Sequence, residues 1–304
     1  MAEKLVIIGS GPAGLSAAMY AAREGFNPLV IGGFEAGGQL LLTTTVENFP
    51  GFPDGVQGYQ IIDLMRKQAV KFGARFVDKD VSAVDFKSRP LKVTVEGTVY
   101  ESDSVIVATG ANAKMLGLES ESKYMGKGVS SCATCDAAFF KNRDVVVVGG
   151  GDTAMEDAQF LTRFASSVTI VHRRDAFRAS KIMQDRTLSN PKIKVIWNST
   201  IEEIKGTDVV TSVRLKNLVS NDVTDLPVGG VFIAIGYEPN SQMFKGQLTL
   251  DDQGYIVTKD GVKTEVDGVF VAGDVSDKIY RQASVASGDG VKAALQARKY
   301  LMEK

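Results

Sequence analysis

The chain has 304 residues, long for a single hydrophobic core and enough for two domains that each bury an interior. Its 35 Lys plus Arg almost cancel 36 Asp plus Glu, which leaves no general attraction to nucleic acid or to an anionic membrane. Two cysteines and a single histidine, His172, are too few for a four-ligand Cys/His zinc centre, so no metal site is expected.

In chain order, Leu5 to Ile8 reads as a short apolar strand that runs directly into Gly9-Ser10-Gly11-Pro12-Ala13-Gly14. No small-residue cleavage site follows it, and no apolar run approaches the roughly 20 residues that cross a bilayer. A soluble cytoplasmic protein is expected, in which a disulfide is catalytic or redox-sensing. Leu15 to Arg23 reads as an Ala-rich helix and Leu29 to Ile31 as the next strand, so the segment opens as a βαβ unit around G-x-G-x-x-G. Gly9 allows the tight turn, Gly11 lets the backbone approach a pyrophosphate, and Gly14 lets the helix pack closely on the strand. The acid that usually holds a ribose is missing after Ile31, where Gly32-Gly33 follow and Glu35 is the nearest carboxylate. Gly37-Gly38-Gln39-Leu40 offers backbone to a flat ring, and Val105 to Val107 is a buried strand ending in Ala108-Thr109-Gly110.

Both cysteines fall in Cys132-Ala133-Thr134-Cys135, followed by Asp136. Thiols at this spacing can close and reopen a disulfide, which points to electron transfer. The βαβ order then returns: a strand at Val145 to Val148, Gly149-Gly150-Gly151-Asp152-Thr153-Ala154 as G-x-G-x-x-A, a helix to about Phe164, and a strand at Val168 to Val171. A second dinucleotide is implied. His172-Arg173-Arg174 and Arg178 stand where an NAD site would carry an acid, and cations there suit the 2′-phosphate of NADP. A Ser-His-Asp hydrolase would have to use the same His172, and no G-x-S-x-G elbow is present. Near the other end, Val269 to Ala272 is an apolar strand that delivers Gly273-Asp274 at its carboxyl edge, the usual ligand crevice of an open α/β sheet.

The succession GSGPAG, GGQL, ENFPGFP (Glu47 to Pro53, with Asn48), VATGA, CATCD, GGGDTA, HRRDAFRASK, AIGYEPN, VAGD and Tyr280-Arg281-Gln282-Ala283 resembles the low-molecular-weight, bacterial-type thioredoxin reductases over essentially the whole chain. The resemblance implies an α/β protein of two Rossmann-like, three-layer nucleotide-binding domains, the second inserted into the first. An FAD domain would comprise residues 1–113 and 243–304, with an NADPH domain at 114–242. It also implies a homodimer that passes electrons from NADPH through FAD and the cysteine pair to thioredoxin. By the same resemblance Cys135 is the thiol beside the flavin, Cys132 attacks thioredoxin, and Asp136 protonates the leaving thiolate. Glu35, Asn48, Arg281, Gln282 and Ala283 would join the glycine turns in holding cofactor, with Ser287-Gly288-Asp289-Gly290 at a helix start beside them.

The cysteine pair and the second glycine turn would share one domain, and each must reach the flavin held by the other. The inserted domain is therefore expected to rotate about linkers near Ala111 to Met115 and Asn240 to Phe244. One departure from the family pattern is Ala137-Ala138 ahead of Phe139-Phe140, which removes an aromatic that would help grip thioredoxin. Two other functions fit the residues: a related flavin disulfide oxidoreductase with a different donor or acceptor, and a flavin-binding redox sensor.

Overall fold

The computed structural model describes residues 2–34, 36–42 and 45–303. The chain forms two compact units, one built from Met1–Asn112 with Glu238–Lys304 and the other from Ala113–Tyr237.

In the first unit, the short strands Glu3–Ile8, Leu29–Ile31 and Arg75–Val77 lie parallel. Thr98–Val107 has two roles. Its second half pairs parallel with Glu3–Ile8 and with Val269–Val271, while its first half runs antiparallel to Leu91–Val95, which in turn pairs with Val81–Asp85. The parallel strands read as continuous apolar runs because both faces are covered. One face carries helices α1 (Pro12–Arg23) and α7 (Ala283–Met302), joined through buried Ala13, Ala17, Ala21, Ala293 and Ala297. Small residues let the two helices approach closely. A Cβ at Gly290 of α7 would come within 2.0 Å of the Ala13 carbonyl oxygen. Gly288 and Gly290 both lie inside α7, which begins four residues before Ser287, so this segment is not the helix start that the sequence suggested. The other face buries Val6, Ile8, Val105, Val107 and the stacked pair Phe86 and Phe244, whose rings are 6.1 Å apart. Helix α2 (Gly58–Lys71) opens with a capping box between Gln57 and Gln60.

The second unit holds a five-stranded parallel sheet in the order Val129–Ser130, Gly230–Ala234, Asp144–Gly149, Ser167–Val171 and Ile193–Ile196. A three-stranded antiparallel meander, Ser199–Gly206, Val210–Asn217 and Val223–Pro227, adds a second layer. Helix α3 (Glu119–Tyr124) precedes the sheet, and α4 (Ala133–Asp136), α5 (Asp152–Leu161) and α6 (Lys181–Leu188) follow in order. Helix α5 stops at Leu161, short of Phe164, where the chain tightens into a turn in which Arg163 and Phe164 donate to the carbonyls three residues before them. No helix among the described residues is long and apolar enough to cross a membrane.

Candidate active site: a disulfide and two glycine turns

The redox loop leaves the edge strand Val129–Ser130 of the second unit. Cys132 and Cys135 are joined as a disulfide with Cα atoms 5.3 Å apart. Cys132 caps the single-turn helix α4, its carbonyl accepting the Asp136 N–H at 3.2 Å. Ala133 and Ala137, four residues apart, both point into the core, which anchors the turn and leaves the sulfurs on its partly open side. Ser130, 3% exposed, accepts the Cys132 N–H at 3.0 Å, and the Tyr237 hydroxyl donates to the Ser131 carbonyl at 2.7 Å. Burial pushes the Asp136 carboxyl above the usual carboxylate range, against the opposing effect of the Ser130 hydroxyl. Beyond it, Ala138 and Phe139 are exposed, while Phe140 packs edge-on against Phe232 at 4.9 Å.

The second glycine turn lies in the same unit. A Cβ at Gly149 would sit 2.4 Å from the Ala234 carbonyl oxygen, so only glycine lets the strand turn there. Gly151, the residue before α5, faces open space, and Thr153 and Ala154 complete the first helical turn. The Gly150 carbonyl accepts the N–H groups of Arg178 and Ala179, which folds the basic loop back onto the turn. Arg173, Arg174 and Arg178 are exposed, and no carboxylate pairs with them among the described residues. Cations without partners beside a helix N-terminus and an open glycine fit a phosphorylated dinucleotide.

Two residues expected among the nucleotide contacts are placed otherwise. His172 is 5% exposed and packs against the Phe177–Trp197 pair beneath Gly150, whose added Cβ would meet its ring at 2.2 Å. Burial lowers its pKa, with Arg178 and Arg174 adding to the effect and the Ala176 and Gly149 carbonyls opposing it. His172 thus supports the turn from below. Asp152 commits one carboxylate oxygen to the N–H and hydroxyl of Ser180, at 2.8 and 2.9 Å, and so fixes the start of α6.

In the first unit, four segments converge on the start of α1. The Gly9 N–H donates to the Ile31 carbonyl at 2.8 Å, and a Cβ at Gly9 would come within 2.2 Å of the Ala108 carbonyl oxygen. Pro12 occupies the first turn, where its missing N–H costs nothing. Gly14 is equally constrained, since its Cβ would lie 2.0 Å from the Gly9 carbonyl oxygen. Gly11 and Gly38 face each other, a Cβ at Gly38 standing 3.6 Å from the Gly11 Cα. Gly38, Gln39 and Leu40 begin a 3-10 turn in which the Gln39 amide donates to Asn112 at 2.9 Å. Thr109 and Gly110 are tied to Asn240 by three hydrogen bonds, at 2.7, 2.9 and 3.0 Å.

Gly273 packs on Ala13 and delivers Asp274, whose pKa is pushed up to about 6 by burial and by Asp277 and Asp289, with Arg281 opposing. Asn48 donates to Gln282 at 3.2 Å, beside Arg281 and the first residue of α7, Ala283. Glu35 lies outside the described residues. The close approach of the Gly11 and Gly38 backbones at the start of α1, with no side chain between them, and a half-buried carboxyl that accepts no hydrogen bond from the described residues fit the phosphates and sugar hydroxyls of a flavin dinucleotide. Ser10, which bonds the Gly32 carbonyl at 3.0 Å, carries no sequence signal of such a role, nor do Ser130 and Tyr237, while Asn112 and Asn240, bonded to each other at 3.2 Å, fall in the two expected linkers. Lone Ser, Tyr and Asn residues carry no spacing that would mark them.

A mixed and a parallel sheet, each with a glycine turn fit for a dinucleotide after a parallel strand, and a closed C-x-x-C disulfide beside the second, define a dinucleotide-dependent disulfide oxidoreductase. Residues 3–290 match the pyridine nucleotide-disulphide oxidoreductase family. The chain is 52% identical to a thioredoxin reductase of Rickettsia felis, over 98% of each chain, and 51% identical to one of Streptomyces coelicolor, over 98% of this chain and 94% of that one. Among solved structures, thioredoxin reductase from Streptococcus pyogenes superposes with a TM-score of 0.95 at 42% identity, covering 99% of this chain and 98% of that one. The Giardia duodenalis enzyme gives 0.94 at 44% identity over 98% of each. The chain belongs to the thioredoxin reductases of this family.

Proposed function

We propose that this chain is an NADPH-dependent thioredoxin-disulfide reductase. The observation that carries the reading is the closed Cys132–Cys135 disulfide on the same compact unit as a glycine turn flanked by unpaired arginines. FAD belongs in the first unit, on the turn from Gly9 to Gly14, the 3-10 turn from Gly38 and Asp274. NADPH belongs in the second, on Gly149 to Ala154 with Arg173, Arg174 and Arg178. Bound FAD supplies two-electron exchange between a nicotinamide hydride and a disulfide.

The protein's own chemistry begins once the Cys132–Cys135 bond has been reduced to a dithiol. The Cys132 thiolate attacks one sulfur of the thioredoxin disulfide and forms a mixed disulfide, and the departing thiolate takes a proton from Asp136. Cys135 then attacks the Cys132 sulfur, which closes the Cys132–Cys135 bond again and releases the second thioredoxin thiol. The raised Asp136 pKa suits this role, because a carboxyl that holds its proton nearer neutrality has one to give. Trading donor for acceptor at one flavin calls for rotation of the second unit about the two chain crossings. A cytoplasmic homodimer is the working form, in keeping with a catalytic rather than a structural disulfide.

The test is NADPH-driven reduction of oxidised thioredoxin, run on the free protein and on protein whose two units are crosslinked. Turnover in the first and its loss in the second is the expected outcome. No turnover in the free protein contradicts the function, and full turnover in the crosslinked protein contradicts the rotation.

A further inference from the structure

The attacking thiol of a C-x-x-C pair needs help to ionise near neutral pH, and such help usually comes from a helix N-terminus or a neighbouring cation. Neither is well provided here. Helix α4 is a single turn of four residues, too short to give much of a dipole. It packs against α5 and against the 3-10 turn Ala137–Phe140. The charged side chains on α4 and these elements are all carboxylates: Asp136 itself, and Asp152, Glu156 and Asp157 of α5. None of these groups is a cation that would favour a thiolate. The chain's single histidine is buried with Phe177 and Trp197, against the second glycine turn.

The group that does reach the sulfur is a neutral one. The Thr134 hydroxyl lies 3.4 Å from Cys132 Sγ, within hydrogen-bonding range for sulfur. Cys132 is held for this contact from the other side, where Ser130 accepts its N–H at 3.0 Å. A disulfide sulfur is a weak acceptor, whereas the thiolate left by reduction is a strong one, so the contact strengthens at the stage when Cys132 reacts.

We propose that Thr134 is a catalytic residue whose hydroxyl donates to the Cys132 thiolate and activates it for attack on the partner disulfide. The inference rests on the reading above that Cys132 is the attacking thiol. It makes the middle of the motif chemically specific, since the residue two after Cys132 must carry a hydroxyl. An apolar isostere keeps the shape and loses the donor.

The experiment is alkylation of the NADPH-reduced holoenzyme by iodoacetamide as a function of pH, with the labelled cysteine mapped by mass spectrometry, in the wild type, Thr134→Val and Thr134→Ser. An unchanged flavin spectrum reports that each variant is folded. The expected result is labelling at Cys132, slowed by about threefold to tenfold at pH 7 in Thr134→Val with its pH curve displaced upward, and restored in Thr134→Ser. Labelling at Cys135 instead overturns the assignment of the attacking thiol, and this proposal with it. Labelling at Cys132 on the same pH curve in Thr134→Val, or a Thr134→Ser variant as slow as Thr134→Val, overturns the role of Thr134 alone.

Discussion

Two half-buried carboxyls carry most of the testable chemistry at the level of single residues. Asp136 is raised by burial, so it remains an acid further toward neutral pH than a surface aspartate does. Replacing it with Asn removes the proton and keeps the shape. Stopped-flow kinetics should show thioredoxin reduction slowed by about 10²-fold, with flavin reduction by NADPH unchanged. Equal rates in the second half-reaction would remove Asp136 from the mechanism.

Asp274 differs in that its shift works against the fold. Its pKa rises from 3.8 to about 6, so the ionised form is disfavoured in the folded state. The cost is absent below pH 3.8, grows as pH rises from there to 6, and is fully present at pH 7. Asp274→Asn should therefore stabilise flavin-free protein at pH 7 by about 1–3 kcal/mol in denaturant titration, with little effect near pH 4. The same variant should retain less FAD. A flavin-free Asp274→Asn protein no more stable than the wild type at pH 7 would show that the carboxyl is not strained by burial.

At the scale of elements, the glycine turns were legible because their demands are local. Gly9, Gly14 and Gly149 each sit where a Cβ would strike a neighbouring carbonyl oxygen or side chain, so residue type and spacing are dictated by contacts within one βαβ unit. What the pattern does not carry is how the following loop closes. The Gly150 carbonyl recruits Arg178 and Ala179, Asp152 is taken by Ser180, and His172 goes beneath the turn to join Phe177 and Trp197. Apart from His172 with Phe177, these contacts join residues 25 to 29 apart, and no periodicity signals them. Arg173, Arg174 and Arg178 are left exposed beside the turn while His172 is buried, so the proposed NADPH site draws its cations from the three arginines. Replacing all three with Ala should raise KM for NADPH by about 10-fold or more and leave KM for NADH nearly unchanged, since only NADPH brings a 2′-phosphate to a cationic site. An equal rise for both nucleotides would mean that the loop has simply lost its structure.

Across the whole molecule, the repetition of one strand–turn–helix unit exposed the two nucleotide-binding sheets in the sequence. Their packing was less visible. The alanine contact between α1 and α7 joins residues about 280 apart, and Thr98–Val107 serves a parallel and an antiparallel layer at once. Both follow from tertiary contacts that outweigh local preference. Function follows from what the two units hold together: a carrier of two electrons and a disulfide that accepts two more. Anaerobic titration with NADPH measures that capacity directly. Full reduction of the FAD-loaded wild type should consume about two equivalents of NADPH per chain, and Cys135→Ser, which cannot form the disulfide, about one. Equal consumption by the two proteins would contradict the account, because the Cys132–Cys135 pair would then stand outside the path of the electrons.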